Sequence, residues 1–186
     1  MKINFTKIAI VGVALATFVT FAKAENKSNR SIQPVQQIDL QKYLGQWYEV
    51  ARKPLYFQKV CDHNVTANYS LKENGNIKVD NRCFDKNDKL KQSIGEAYVK
   101  NAPQNSILKV SFLPSVIRWI PIGRGDYWIL KIDENYQTAL VGSPNKKYLW
   151  VLSRDAHPDQ SIVNEYLDYA KSLGYNLDDL ITTTQK

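Results

Sequence analysis

The sequence predicts an all-β domain: an eight-stranded antiparallel up-and-down barrel with one C-terminal α-helix packed on its outside. Short runs rich in β-branched and aromatic residues recur along the chain, with turn residues between them. Trp47 lies in the first run and Arg154 ends the last, and they stack as ring and cation only if both ends of the sheet meet. A closed barrel satisfies this condition, and a β-sandwich is the competing arrangement for the same strand count.

Eight runs are predicted to be strands because Val, Ile, Thr and aromatic side chains recur in them. These runs are residues 46–53, 65–71, 77–83, 92–100, 106–112, 126–132, 137–142 and 147–154. Turn residues separate them, as at Asn74-Gly75 and at Ser143-Pro144-Asn145. Short connections favour up-and-down order, and eight strands suffice for a barrel that encloses one small ligand.

One helix is predicted after the last strand. Pro158 suits a first helical turn and Gly174 a helix end. Apolar residues recur between them at helical spacing, at Ile162, Val163, Tyr166, Leu167, Ala170 and Leu173. We expect this stripe to pack on the barrel, and residues 180–182 to add a short edge strand.

The amino-terminal residues are typical of an export signal. Lys2 and Lys7 precede an apolar run over residues 8–21, and Ala22-Lys23-Ala24 has the pattern that a signal peptidase cleaves. The run is shorter than the roughly 20 residues of a membrane-spanning helix, although a retained anchor is the alternative. The sequence therefore predicts a signal peptide over 1–24, an extension over 25–38 and one domain over 39–186. No cysteine ends the apolar run, so a lipid anchor there has no attachment point.

The charge pattern argues against a nucleic-acid partner. The formal net charge is +7, but the lysines and arginines are scattered and do not interleave with aromatic residues in one stripe. Weak attraction to anionic membrane surfaces remains open.

Cys61 and Cys83 are the only cysteines, and in an exported protein an even count favours a disulfide. A two-residue turn at Asn74-Gly75 sets Cys83 opposite Thr66, so the bridge requires a bulge or a segment that folds back. The Cys-x-x-Cys motif of a redox pair is absent. Two cysteines and two histidines also lack the spacing of a zinc module, so we predict no metal and no cofactor.

Three motifs resemble the signatures of the lipocalin family, in the same order. They are Gly45-x-Trp47, Asp133-x-x-Tyr136 and the strand-ending Arg154. The stretches 45–52, 68–71 and 148–154 are more closely similar to bacterial outer-membrane lipocalins and apolipoprotein D, and the resemblance covers residues 39–182.

The resemblance implies a barrel open at one end, with Gly45, Trp47, Asp133, Tyr136 and Arg154 closing the other. It also implies binding of a small hydrophobic molecule, a fatty acid or lysophospholipid in the bacterial members, in the cell envelope, by a monomer or weak dimer. Those outer-membrane members carry a lipobox cysteine that this sequence lacks, which favours a soluble periplasmic carrier.

Alternation along the strands predicts which side chains line the lumen, starting from an inward Arg154. The predicted ligand-binding residues are Tyr69, Leu108, Val110, Phe112, Trp128, Leu130, Ala139, Val141, Tyr148 and Trp150. A short turn at 143–146 sets Trp150 opposite Ala139 and Tyr148 opposite Val141. Such a lumen suits an acyl chain. The alternative is a barrel that these side chains fill completely.

Residues 113–122 form an unusually apolar connection, suited to a membrane or protein contact or to folding over the barrel. Strand order is expected to place it at the closed end. Arg52, Arg118 and Arg124 are either anion-binding residues or ordinary solvated arginines. No nucleophile and base pair is recognisable, and Glu49 is expected to be a structural hydrogen-bond partner, so the sequence predicts a binding protein and not an enzyme.

Overall fold

The computed structural model describes residues 32–186, so the predicted signal peptide over 1–24 lies outside the described residues. The strands are β1 Gly45–Arg52, β2 His63–Leu71, β3 Ile77–Phe84, β4 Leu90–Val99, β5 Ile107–Ser111, β6 Gly125–Ile132, β7 Thr138–Gly142, β8 Leu149–Ser153 and β9 Ile181–Thr182. The helices are α1 Leu40–Tyr43 and α2 Gln160–Ser172, with a 3-10 turn at Tyr56–Gln58.

The first eight strands form a closed antiparallel barrel. Each strand pairs with the next, and β1 pairs with β2 on one side and with β8 on the other. Tyr48 marks this closure, because it lies opposite Thr66 of β2 and opposite Ser153 of β8. The predicted fold class is confirmed, and the sandwich alternative is excluded.

The carboxyl-terminal residues fill the space where β1 and β2 separate. Direct pairing of β1 with β2 ends at Tyr48 and Thr66, and β9 then pairs with β1. Beyond β9, the Thr183 amide donates to the Val50 carbonyl at 2.9 Å, and the Asn64 amide donates to the Thr184 carbonyl at 2.9 Å. The predicted edge strand is therefore one part of a longer tail that completes the barrel wall.

A bulge in β2 brings the two cysteines together. The register between β2 and β3 shifts between His63 and Thr66, and Asn64 has a left-handed φ of 51°. The turn before β3 is also one residue longer than predicted, because Leu71 lies opposite Ile77, so Thr66 lies opposite Arg82 and not Cys83. With the turn and the bulge together, the Cα atoms of Cys61 and Cys83 lie 5.5 Å apart and the disulfide forms. The predicted bridge is confirmed, whereas the predicted two-residue turn at Asn74-Gly75 is wrong.

Helix α2 packs on the outside of the barrel, as predicted. Asp159 caps its start by accepting from the Ser161 amide at 2.7 Å. Val163, Tyr166 and Ala170 are buried in a cluster outside the barrel, with Leu140, Leu149 and Val151 of the wall. The chain leaves the helix through Gly174, whose φ of 86° is a left-handed conformation that favours glycine.

The predicted inward orientation of Trp128 and Leu130 is wrong. The register between β6 and β7 shifts between Ile129 and Lys131, so one residue is inserted in β6. Ile132 keeps its place on the inner side, but Tyr127 and Ile129 take the inner positions above the bulge. Trp128 and Leu130 instead pack in the outer cluster under helix α2.

The predicted pairing of β7 with β8 is shifted by two residues. Val141 lies opposite Trp150, and Ala139 lies opposite Leu152. The β7–β8 connection is longer than the predicted turn. It contains Lys146 with a left-handed φ of 60°, and the Ser143 amide donates to the Tyr148 carbonyl at 3.1 Å. A shift of two residues preserves the face of every side chain, so the inward residues of these strands stay inward.

Residues 32–38, from the predicted extension, pack on the barrel. The Val35 amide donates to the Ile129 carbonyl at 2.8 Å, and the Ile38 amide to the Gln104 carbonyl at 2.7 Å. Ile32 joins the outer cluster, whereas Ile38 joins the cluster inside the barrel. None of the helices between residues 32 and 186 is long and apolar enough to cross a membrane.

Candidate ligand-binding lumen

The closed end of the barrel is built around Trp47 and Arg154. The Arg154 guanidinium carbon lies 3.9 Å from the centroid of the Trp47 ring, which is completely buried. The indole nitrogen of Trp47 donates to the Tyr43 carbonyl at 2.8 Å. The structure thus brings together two residues that are far apart in sequence and joins the first strand to the end of the last.

Arg154 also ties the chain before β1 to the floor. Its Nη1 donates to the Gln46 carbonyl at 2.6 Å, and its Nη2 donates to the Lys42 and Leu44 carbonyls, each at 2.8 Å. Gly45 has a φ of 92°, and a Cβ atom there would lie 3.3 Å from Arg154 Nη1. Glycine is therefore favoured at position 45 both by the backbone conformation and by the nearby guanidinium.

Asp133 and Tyr136 shape the adjoining β6–β7 turn. The Asp133 carboxylate accepts from the amides of Asn135 at 2.9 Å and Gln137 at 2.8 Å. Tyr136 has a left-handed φ of 57°, and its hydroxyl accepts from the Asp39 amide at 2.8 Å. The five residues predicted to close the barrel therefore lie at one end.

Above this floor lies a cavity of about 570 Å³ inside the barrel. Five predicted ligand-binding residues line it: Tyr69, Val110, Phe112, Tyr148 and Trp150. Leu108, Ala139 and Val141 lie in the inner cluster beneath, without lining the cavity. Trp128 and Leu130 lie outside the lumen. The cavity volume excludes the alternative in which side chains fill the barrel completely.

Val65, Ala67 and Leu152, which alternation along β2 and β8 also predicts to face the lumen, line the cavity as well. The lining residues that were not predicted to bind ligand include Glu49, Gln58, Val79, Asn81 and Tyr127. To predict that Tyr127 faces the lumen, the β6 bulge would have to be known. Gln58 lies in a connection between strands, where alternation along a strand does not apply.

Three tyrosine hydroxyls meet at the bottom of the cavity. The Tyr127 hydroxyl lies 2.7 Å from that of Tyr43 and 2.8 Å from that of Tyr69. Burial raises the pKa of Tyr69 to about 12 and raises the pKa values of Tyr43 and Tyr127 well above 10. All three hydroxyls are consequently neutral over the physiological pH range.

A second polar group, centred on Glu49, is built into the wall near the open end. The Glu49 carboxylate accepts from Gln58 Nε2 at 2.8 Å and from the Thr183 hydroxyl at 2.6 Å. Arg52 Nε lies 3.0 Å from the same carboxylate as an ion pair. Burial raises the pKa of Glu49, and the hydrogen bonds from Thr183 and Gln58 and the charge of Arg52 oppose that increase.

The three arginines considered as anion-binding residues have other contacts. Arg52 is buried and paired with Glu49. Arg118 donates to the Leu113 carbonyl at 2.8 Å and to the Ile94 carbonyl at 3.0 Å. The Arg124 guanidinium lies 4.0 Å from the Tyr98 ring. Arg118 and Arg124 hold the β5–β6 connection against β4, and neither lines the lumen.

The expected position of the apolar connection 113–122 at the closed end is wrong. Up-and-down order starting from the closed end at Gly45 places the β5–β6 connection at the open end, and Leu113 and Gly123 line the cavity mouth. Val116, Trp119 and Ile122 are 79%, 75% and 76% exposed. The β1–β2 connection at the same end exposes Tyr56, Phe57 and Val60. We call these six residues the apolar rim.

Within residues 32–186, no group of three or more His, Cys, Asp or Glu side chains is arranged to hold a metal ion. The acidic side chains that line the cavity are Glu49 and Asp126, and the Glu49 carboxylate contacts Gln58, Thr183 and Arg52. The arrangement offers an apolar cavity with hydroxyl groups at its bottom and polar groups near its mouth, which is suited to binding an amphiphile.

The comparisons with known proteins agree with this geometry. A family profile described as "Lipocalin-like domain" matches residues 38–185. The chain is 35% identical to the outer membrane lipoprotein Blc of Vibrio cholerae over 158 residues, which are 84% of this chain and 88% of the relative. It is 34% identical to mouse apolipoprotein D over 182 residues, covering 92% and 91% of the two chains. Insecticyanin from the tobacco hornworm has the same fold, with a TM-score of 0.60 at 16% identity over 83% of this chain and 84% of its own.

Proposed function

Because this chain belongs to the lipocalin family, we propose that it binds, stores or transports a small hydrophobic molecule of the fatty-acid or lysophospholipid type. The observation that carries the proposal is the cavity of about 570 Å³ inside the barrel. Its size is in the range of small-molecule sites, and aromatic and aliphatic side chains dominate its lower part. The proposed role is that of a carrier, not of an enzyme.

The distribution of polar groups supports one orientation of the ligand. Tyr148 and Trp150 form an aromatic wall, with ring centroids 6.1 Å apart, next to the aliphatic Val110 and Leu152. Lys91, Ser93 and Asn81 line the cavity on the β3–β4 wall, away from the floor. The acyl chain therefore enters the lumen first, and the polar head group stays near the mouth.

We further propose that the protein acts in the bacterial cell envelope, as an exported and soluble periplasmic protein. Relatives named "Outer membrane lipoprotein Blc" support an envelope location. Both cysteines of the sequence are engaged in the disulfide, which is consistent with an oxidising compartment. A monomer or weak dimer is the proposed state.

Ligand binding in the lumen is tested by filling the cavity. Ala67 lines the lumen on β2, and replacing it with tryptophan places an indole ring in the space assigned to the acyl chain. We expect Ala67→Trp to weaken binding of palmitic acid at least roughly tenfold, because overfilling costs about 1–3 kcal/mol. Displacement of a fluorescent fatty-acid analogue measures the affinity.

The matched control is Ser70→Trp, which places the same side chain on the exposed outer side of the same strand. Its affinity should equal that of the wild type. If Ala67→Trp folds and binds palmitic acid as tightly as Ser70→Trp, the ligand does not occupy the lumen and the proposal is wrong.

A second function, peripheral membrane contact, is favoured by the apolar rim. Its six exposed side chains come from two connections at the open end of the barrel, and two of them, Phe57 and Val60, also line the cavity. Three exposed lysines, Lys59, Lys86 and Lys89, lie on connections at this end and suit an anionic lipid surface. We propose that the rim docks the cavity mouth onto a membrane.

Vesicle binding tests the membrane contact. The triple variant Val116→Ser, Trp119→Ser, Ile122→Ser should bind vesicles of phosphatidylglycerol and phosphatidylethanolamine at least roughly tenfold more weakly, since each buried apolar side chain contributes about 1.5–3 kcal/mol. Cosedimentation measures the bound fraction. Ile162→Ser, an exposed apolar residue on helix α2, is the control and should bind normally. Equal losses in both proteins, or in neither, would contradict the contact.

A further inference from the structure

The three hydroxyls at the bottom of the cavity have one proton more than they have acceptors. Tyr43, Tyr127 and Tyr69 form an unbranched chain with Tyr127 in the middle, so three O–H protons share two hydrogen bonds. Whichever direction the donors point, one proton has no acceptor from the residues between 32 and 186. We call these residues the tyrosine triad.

In two of the three possible arrangements of the hydroxyl protons, the surplus donor is Tyr69 or Tyr127 at the lumen, and in the third it is Tyr43. Tyr69 and Tyr127 line the cavity, and Val79, Val110 and Leu152 beside them have no side-chain acceptor to offer. Burial keeps all three hydroxyls protonated, so the triad always has a proton to donate. A ligand chain that reaches the bottom with a methyl group leaves this donor unpaired, which weakens binding roughly tenfold.

We propose that the tyrosine triad donates a hydrogen bond to an oxygen atom on the inner end of the ligand. The preferred ligand is then an acyl chain that carries an oxo or hydroxyl group at its ω end, and not an unmodified chain. This inference rests on the proposed function, because it specifies the chemistry of the ligand end that enters the same lumen. The carboxylate or other head group at the opposite end remains near the polar mouth.

The test compares palmitic acid with its ω-oxo and ω-hydroxy derivatives, which share chain length and head group. The wild type should bind the oxygenated derivatives at least as tightly as palmitic acid, although they are less hydrophobic. In the double variant Tyr69→Phe, Tyr127→Phe, both lumen hydroxyls are lost. The affinity ratio of ω-oxo derivative to palmitic acid should then fall roughly tenfold, because the buried oxygen atom loses its donor.

The double substitution is needed because either single variant leaves one hydroxyl at the lumen with a proton to spare. Tyr69→Phe leaves one surplus proton on the Tyr43–Tyr127 pair, and Tyr127→Phe leaves the Tyr43 and Tyr69 hydroxyls without each other as partners. Tyr148→Phe is the matched control, since it removes a hydroxyl from a lumen-lining tyrosine outside the triad and should leave the ratio unchanged. Near-ultraviolet circular dichroism verifies that each variant is folded.

Each outcome has a distinct meaning. An affinity ratio that is the same in the wild type and the double variant overturns the role of the triad while leaving lipid binding intact. A ratio that falls equally in Tyr148→Phe also overturns it. If the wild type binds neither palmitic acid nor its derivatives, the proposed function itself fails, and this inference fails with it.

Discussion

Trp47→Ala is expected to reduce the free energy of unfolding by about 3–5 kcal/mol. The indole ring is completely buried, and the substitution removes its packing, its stacking with Arg154 and its hydrogen bond to the Tyr43 carbonyl. Urea unfolding followed by circular dichroism measures the loss. Trp119→Ala is the control, because Trp119 is 75% exposed and its replacement should change stability by less than about 0.5 kcal/mol.

The same variant separates stability from ligand selection. Trp47 lies beneath the cavity and does not line it. In the fraction of Trp47→Ala that remains folded, the affinity for palmitic acid should therefore equal that of the wild type. A fully stable Trp47→Ala protein that has lost binding would show that the floor contributes to the ligand site directly.

The floor could be predicted from sequence because its chemistry is specific and depends little on register. A tryptophan in the first strand and an arginine after the last form a stacked pair only if both ends of the sheet meet, which favoured a barrel over the sandwich that the same strand count allows. The resemblance to lipocalins then supplied Gly45, Asp133 and Tyr136. Gly45 adds a backbone condition that few other residues meet. None of these inferences needed the exact pairing of intermediate strands, so small errors in register did not affect them.

The walls were harder to predict because left-handed residues and bulges determine their registers. Asn64 and Lys146 adopt positive φ values without being glycine, and no sequence pattern marks this conformation. The inserted residue in β6 moved Trp128 out of the lumen and Tyr127 into it. A single inserted residue moves every side chain on one side of the insertion to the opposite face of the sheet. A prediction based on strict alternation does not include such an insertion.

The hydrogen-bond partners of Glu49 could not be predicted from the sequence for a different reason. Its partners come from β1, from the 3-10 turn and from the carboxyl-terminal tail, three segments that only the closed fold brings together. The sequence did predict that Glu49 is a structural hydrogen-bond partner. Thr183 reaches Glu49 because the tail lies between β1 and β2, and Gln58 reaches it from the 3-10 turn.

Glu49→Ala is accordingly expected to reduce the free energy of unfolding by about 3 kcal/mol. The substitution leaves the Thr183 hydroxyl and the Gln58 amide without their acceptor, at about 1–3 kcal/mol for each buried group, and leaves the buried Arg52 guanidinium without its ion-pair partner. Glu49→Gln is the matched variant, because it retains one acceptor oxygen and nearly the same volume. It should cost much less than alanine in the same unfolding experiment.

Comparison of wild type with Glu49→Gln across pH then identifies which physical effect dominates at this carboxyl. Burial raises its pKa in the folded protein above the ordinary value of 4.5, so between these two pKa values the folded state binds the extra proton. The stability of the wild type relative to Glu49→Gln should therefore be greatest below pH 4.5 and fall as pH rises through the folded pKa. A relative stability that instead rises with pH would mean that the Arg52 ion pair and the hydrogen bonds outweigh burial.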